Sequence, residues 1–305
     1  METRKFGKTD MKVSVLGFGS AEIGMDSSKA TDREVGDLLN ALLDKGVNVL
    51  DSASSYKRSE SLIGQLVSSR RSEYYVFSKL GEGESVGLPY PDWDVRNVRP
   101  SIERTLRDLR TDYVDLMMIH SCSEAVLRQG DLIEALRDLK REGLTRYIGY
   151  SGDSTDALYA VNTGVFDALE TSINIADQEA LQLTVSEAAK RDMGIIAKRP
   201  IANAVWVRQG LENAPDPYVE RLEKLNYPFL KNDSDAIAEK ALRFVLSVPY
   251  VDSAIVGTTN LAHFRQNIGY AAKGEAPRPG NSRHPQPLAG DPGAGLGGVE
   301  VGVAD

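Results

Sequence analysis

Four side chains able to carry or move a proton recur at one kind of place in this sequence. Asp51 closes the apolar run Val47–Leu50, Lys79 closes YVFS, His120 closes VDLMMI, and Tyr56 stands in the polar loop after Asp51. The remaining apolar runs end in polar or small residues too: Gly19 and Ser20, Ser151, Glu170 to Asn174, Lys198 with Arg199, and Gly257 with Thr258. Each has a structural explanation of its own, because a terminal Asp often caps a helix, a Lys is usually solvated and a lone His after an apolar strand is often a satisfied core residue. Unrelated structural needs would not put Asp, Lys and His on three successive strand ends. Such a ring can supply proton donors and stabilise developing charge. Alternatively, Lys79 or Lys198 could serve as a Schiff-base amine if burial depressed its pKa.

The elements that must hold this ring alternate along the chain. After a β-prone lead at Arg4 to Phe6, Val13–Ser20 reads as a buried strand. Its Gly17, Gly19 and Gly24 lack the G-x-G-x-x-G spacing of a nucleotide loop, so a close-packed turn is the better reading. Thr31 and Glu34 form a capping box before a helix with Val35, Leu38, Leu39, Leu42 and Leu43 on one face, ended by Gly46. The spacing then predicts strands over Val47–Asp51, Tyr74–Lys79, Tyr113–His120, Thr145–Ser151, Asp167–Ile173, Ile195–Lys198 and Ser253–Val256, each followed by a helix. The helix after Tyr56 is expected to close at Gly64, and one long helix is expected over Gln178–Met193. Two longer stretches interrupt the alternation: Gly81–Val95, which contains Trp93 and could cap a binding site, and the insertion Ala202–Asn232. Eight strand and helix pairs without a linker predict an α/β fold of the closed (β/α)8 TIM-barrel type over residues 1–276, with an open doubly wound sheet as the alternative. In such barrels the carboxyl ends of the strands share one mouth. Residues 277–305, rich in Pro and Gly with little to bury, are expected to be a disordered tail.

Composition narrows the function classes. A formal charge of -8 argues against a nucleic-acid backbone or an anionic membrane as the main partner. Cys122 is the single cysteine, and His120, His263 and His284 are not spaced as metal ligands, so no disulfide and no metal are expected. The segment METRKFGKTD is too polar for a secretory signal, and no apolar run nears roughly 18 residues, so a cytoplasmic protein is expected, as a monomer or weak homo-oligomer.

In its ordered motifs the chain resembles the aldo-keto reductases. The resemblance runs from Arg4 to about Ala272. It rests on Asp51-Ser52-Ala53, the loop Tyr56, Ser59-Glu60 before Leu62-Ile63-Gly64, Lys79 after YVFS, His120 after VDLMMI, and GLTRYIGYS ending at Ser151. It implies a nicotinamide-dependent oxidoreductase acting on a small carbonyl or alcohol substrate (an aldehyde, ketone or sugar). Tyr56 would be the general acid, Lys79 the cation favouring its anion, Asp51 the holder of Lys79, and His120 the group orienting the substrate oxygen. The resemblance also implies a cofactor lying across the barrel mouth, near Gly19, Ser20, Asp51, Ser151, Glu170, Asn174, Lys198 and Arg199. The far end of that cofactor would lie near Gly257, Thr258, His263, Gln266 and Asn267. The resemblance favours NADP(H), the family's usual cofactor, while Gly257 and His263 stand where NADP-selective members often have Lys and Arg, which keeps NAD(H) open. Lys57 stands where many relatives have Gly. Glu170 and Lys198 replace a frequent Gln and a frequent aromatic, and are expected to pair with each other. A barrel lyase using Lys79 or Lys198, and a nucleotide-sensing subunit without catalysis, are the alternatives.

Overall fold

The structure, a computed structural model, describes residues 1–207 and 216–274. Ten strands are formed: β1 Thr3–Lys5, β2 Lys12–Ser14, β3 Leu16–Gly19, β4 Val49–Asp51, β5 Tyr75–Leu80, β6 Val114–His120, β7 Thr145–Ser151, β8 Ala168–Ser172, β9 Gly194–Lys198 and β10 Ser253–Val256. β3 to β10 close a parallel barrel in which each strand pairs with its neighbours in sequence and β10 returns to β3, with Ala254 opposite Leu16. Helices follow the strands, so the barrel strands are covered on both sides, as their near-continuous apolar runs require.

One expected strand divides in two. Val13–Ser20 splits at Val15, because Lys12–Ser14 turns away to pair antiparallel with Thr3–Lys5 and only Leu16–Gly19 enters the barrel. The hairpin supplies Phe6, Met11 and Val13 to a core cluster that also contains Val49, Phe77, Leu116, Met118, Ala168, Ile196 and Ile255. It thereby packs against the barrel interior, and Phe6 stacks on Phe77 at 5.4 Å between ring centroids.

These interior residues fix the site above them by simple alternation. Side chains two apart on a strand share a face. Val49 is therefore followed on the inside by Asp51, Phe77 by Lys79, Met118 by His120, Ala168 by Glu170, and Ile196 by Lys198. Each polar residue caps an apolar one. The odd residues between them, Leu50, Ile119, Leu169 and Ala197 among them, face the helices in a second, larger core.

Two helix boundaries depart from expectation. The helix after Tyr56 runs from Ser59 to Val67, through Gly64, which is there for packing: a Cβ would lie 2.1 Å from the Asp108 carbonyl oxygen of the neighbouring helix Val98–Leu109. The expected helix 178–193 is two pieces, Glu179–Leu183 and Val185–Lys190, broken at Thr184 (φ -119°). Within the insertion, helix Pro217–Leu225 is capped by Asp216. Residues 208–215 and the Pro/Gly-rich segment 277–305 lie outside the described residues. No helix among the described residues is long and apolar enough to cross a membrane.

Candidate active site

At the carboxyl end of the barrel Lys79 is fully buried, and its Nζ donates to Asp51 Oδ1 at 2.6 Å and to the Ser52 carbonyl oxygen at 3.1 Å. Glu170 Oε2 lies 3.3 Å from the same nitrogen, and Glu170 Oε1 accepts from Ser151 Oγ at 3.1 Å. Two carboxylates thus face one buried ammonium. Burial first, then the charge of Glu170, push Asp51 well above the carboxylate range. Burial would raise Glu170 too, but Lys79 together with Lys198, a hydrogen bond from Asp51 and His120 outweighs it and holds Glu170 low. Burial alone would depress Lys79, and Asp51 and Glu170 reverse this and hold it above its ordinary value.

Tyr56 follows in the loop after β4. The Lys79 ammonium sits over its ring, 5.5 Å from the centroid, and its hydrogen bonds go to Asp51 and Ser52. Burial pushes the phenol up to about 12. Lys79 opposes the shift, and the carboxylates of Asp51, Glu170 and Glu82 add to it. The loop is held from both sides. A Cβ on Gly24 would lie 2.1 Å from the Tyr56 carbonyl oxygen, so only glycine permits that approach. Below it, Ser52, Ser59 and Ser20 form a hydroxyl chain ending on the Asp51 carbonyl oxygen.

His120 stands edge-on to Tyr56, with centroids 6.1 Å apart and planes at 82°. Its Nδ1 lies 2.5 Å from Glu82 Oε1, a partner that the sequence reading missed. Burial would raise Glu82, yet the hydrogen bond to His120 and its charge, with hydrogen bonds from Ser55 and the backbone, together hold it below the usual range. An ionised Glu82 accepts the Nδ1 proton and leaves Nε2 as the nitrogen available to a ligand. Trp93 Nε1 donates to the His120 carbonyl oxygen at 2.9 Å, so the Gly81–Val95 loop braces His120 from behind and does not line the cavity. Lys57, Ser121 and Arg199, which follow Tyr56, His120 and Lys198, all have positive φ (50°, 50° and 55°), a conformation that non-glycine residues rarely adopt and that clusters at functional sites.

A cavity of 650 Å³ opens over these groups and extends along the mouth. It brings together Gly19, Asp51, Tyr56, His120, Ser151, Glu170, Lys198 and Arg199 with Gly257, Thr258, His263, Gln266 and Asn267. Three expected residues do not line it. Lys79 lies beneath, behind Asp51 and Glu170. Ser20, fully buried, spends its hydroxyl on the Asp51 carbonyl in the chain described above, and Asn174 is buried in a turn where its Oδ1 accepts from Ala176 N. The expected pairing of Glu170 with Lys198 does not form. Strand register sets Glu170 opposite Ile196 and Lys198 opposite Ser172, one layer further out, where Lys198 meets Asp153 at 3.2 Å. Arg199 reaches Ser172 Oγ at 3.0 Å and lies 3.8 Å from the same Asp153.

Comparison with known proteins fits this arrangement. Among curated proteins the chain is similar to the oxidoreductase YqkF of Bacillus subtilis, uncharacterised as to reaction (26% identity, 88% of this chain and 90% of that one). It is also similar to the L-galactose dehydrogenase of Arabidopsis thaliana (28%, 88% and 87%). Among solved structures it resembles PA4992 of Pseudomonas aeruginosa, which carries an aldo-keto reductase designation, at 30% identity and a TM-score of 0.71, covering 89% of this chain and 94% of that one. The holo form of the Bacillus halodurans aldo-keto reductase AKR11C1 shares the fold at 22% identity and a TM-score of 0.75, covering 91% and 93%. The sequence model of the Aldo/keto reductase family matches residues 15–276, nearly all of the barrel, and this chain belongs to that family.

Proposed function

We propose that this chain interconverts a small carbonyl compound (an aldehyde, ketone or sugar) and its alcohol, with a nicotinamide dinucleotide as hydride carrier and Tyr56 as proton donor and acceptor. The observation that carries the reading is the Lys79 ammonium, fully buried, clamped by Asp51 at 2.6 Å and lying over the Tyr56 ring. The dehydrogenase names of relatives from Arabidopsis thaliana and Pseudomonas sp support a sugar among the substrates.

The residues present fit the cofactor. Glu170 Oε2 is buried with only its 3.3 Å ion pair to Lys79, and Asn267, 6% exposed, lines the cavity. Ser151, Glu170, Lys198 and Arg199 would hold the nicotinamide half, and Gly257, Thr258, His263, Gln266 and Asn267 the other half. When bound, the cofactor supplies or takes up a hydride.

The side chains do the rest. In reduction, Tyr56 gives its phenolic proton to the carbonyl oxygen as charge develops there, and His120, set by Glu82, holds that oxygen by Nε2. The phenolate left behind faces Lys79. With its phenol at about 12, Tyr56 keeps its proton at neutral pH and is ready to give it to a more basic alkoxide. In oxidation it must first lose that proton, so alcohol oxidation is expected to climb with pH through the alkaline range. A Schiff-base lyase needs the opposite of what Lys79 has, since an amine held above its ordinary pKa is not a nucleophile.

The decisive experiment is Tyr56→Phe. Turnover with a panel of aldehydes and sugars is expected to fall roughly 10²- to 10⁴-fold, with nicotinamide affinity within a few fold of the parent. Parent-like turnover by the variant would overturn the assignment.

A further inference from the structure

We infer that Asp235 makes this chain select NAD(H) over NADP(H), by standing where the far end of the cofactor cavity would receive either a bare ribose or its 2'-phosphate. The inference rests on the hydride-carrier reading above. If the nicotinamide lies beside Tyr56 and His120, the rest of a dinucleotide has to follow the cavity to its other end. That end is formed by two helices, Ser234–Leu246 through Ser234, Asp235 and Ala238, and Leu261–Ala272 through His263, Gln266, Asn267 and Tyr270.

The charges at this end are one-sided. Asp235 Oδ2 accepts from Gln266 Nε2 at 3.3 Å, which fixes the carboxylate between the two helices and leaves Oδ1 without a partner among the described residues. Burial first, then the carboxylates of Asp235, Glu239 and Asp233, push the Tyr270 hydroxyl above its usual range. The nearby cations are turned elsewhere. Lys240 lies over the Phe229 ring at 4.7 Å, and Arg243 and Lys273 both bind Glu239. Arg265 falls on the side of its helix opposite the lining face, since residues 263, 266, 267 and 270 share one stripe at about 100° per residue. The Lys and Arg that do line the cavity among the described residues, Lys198 and Arg199, lie toward the catalytic end against Asp153.

A ribose 2'-hydroxyl is a donor that a carboxylate can accept, as acidic residues do for this group in other dinucleotide folds. A 2'-phosphate brings only acceptors and about two negative charges. It would meet Asp235 with no lysine or arginine among the described residues to offset the repulsion. Asn267 and Gln266 serve either ligand, so the discrimination falls to Asp235.

Titration of the full chain with NADH and with NADPH, followed by reduced-nicotinamide fluorescence, tests this without any substrate. NADH is expected to bind at least about tenfold more tightly than NADPH. Asp235→Asn is expected to narrow the ratio severalfold, chiefly by tightening NADPH. Asp235 is exposed and Asp233 is the residue that caps the helix, so the variant keeps the fold. NADPH binding as tightly as NADH in the parent, or a ratio unchanged in Asp235→Asn, would overturn the inference. Binding of neither nucleotide would overturn the hydride-carrier reading on which it stands.

Discussion

Lys79→Met would strip two buried carboxylates of their shared cation. Removing one partner from a buried ion cluster typically costs about 3–5 kcal/mol, because the charge left behind is uncompensated. Without Lys79, Asp51 and Glu170 would both titrate above their unfolded values. The variant's stability is then best below the ordinary carboxylate range and falls as pH rises through the raised folded values. Urea denaturation is expected to show a deficit relative to the parent that is larger at pH 7.5 than at pH 5, and a deficit independent of pH would exclude this account. At this scale the sequence was readable where a residue closes an apolar run, as Asp51, Lys79 and His120 do. Glu82, Asp153 and Asp235 were not, because they sit in loops or at a helix start, and their roles come from neighbours 38, 45 and 31 residues away respectively. The pairing imagined for Glu170 and Lys198 failed for a related reason. Both strand ends were identified, but register decides which layer each side chain reaches, and register is a property of two strands.

Elements meet around a second buried acid. Glu60, in the first turn of helix Ser59–Val67, is 4% exposed and accepts from Ser78 Oγ at 2.6 Å and Thr105 Oγ1 at 3.1 Å, joining that helix to β5 and to helix Val98–Leu109. Burial raises it from 4.5 to about 7, against the two hydroxyls that lower it. A folded pKa above the unfolded one means the stabilisation is complete below about 4.5 and is lost as pH rises through about 7. Glu60→Gln keeps the shape and removes the titration. It is expected to raise Tm relative to the parent at pH 8 by an amount worth roughly 1–3 kcal/mol, with the gain shrinking toward pH 5. Equal Tm differences at both values would show that Glu60 stays ionised. Periodicity sufficed to read this layer: Val35 to Leu43 and Leu132 to Leu139 are buried as their spacing predicts. Boundaries were less legible. Gly64 looks like a stop in one dimension, while in three it is a point of close approach to the neighbouring helix.

For the molecule as a whole, the barrel is open for chemistry at one end and filled at the other. The β1–β2 hairpin, invisible as a separate unit in the sequence because Val13–Ser20 is one apolar run, supplies Phe6, Met11 and Val13 to that filling. Phe6 is fully buried against Phe77, so Phe6→Ala is expected to cost about 3–5 kcal/mol. Since the hairpin lies away from the Tyr56 cavity, nicotinamide affinity in the folded variant is expected to stay within a few fold, and calorimetry with nucleotide titration would check both. The closing pair of strands bears on how the chain comes into being. Ala254 of β10 pairs beside Leu16 of β3, roughly 240 residues earlier. At the usual rate of translation that interval lasts on the order of 10–50 s. Once β4 has been made, a nascent β3 can pair with it on one side and still has, on the other, an unpaired parallel edge of Leu16, Gly17 and Phe18, the kind of surface that recruits other chains. The strand that closes the barrel is thus the one that covers β3, and a chain stalled before residue 253 would be a candidate for chaperones.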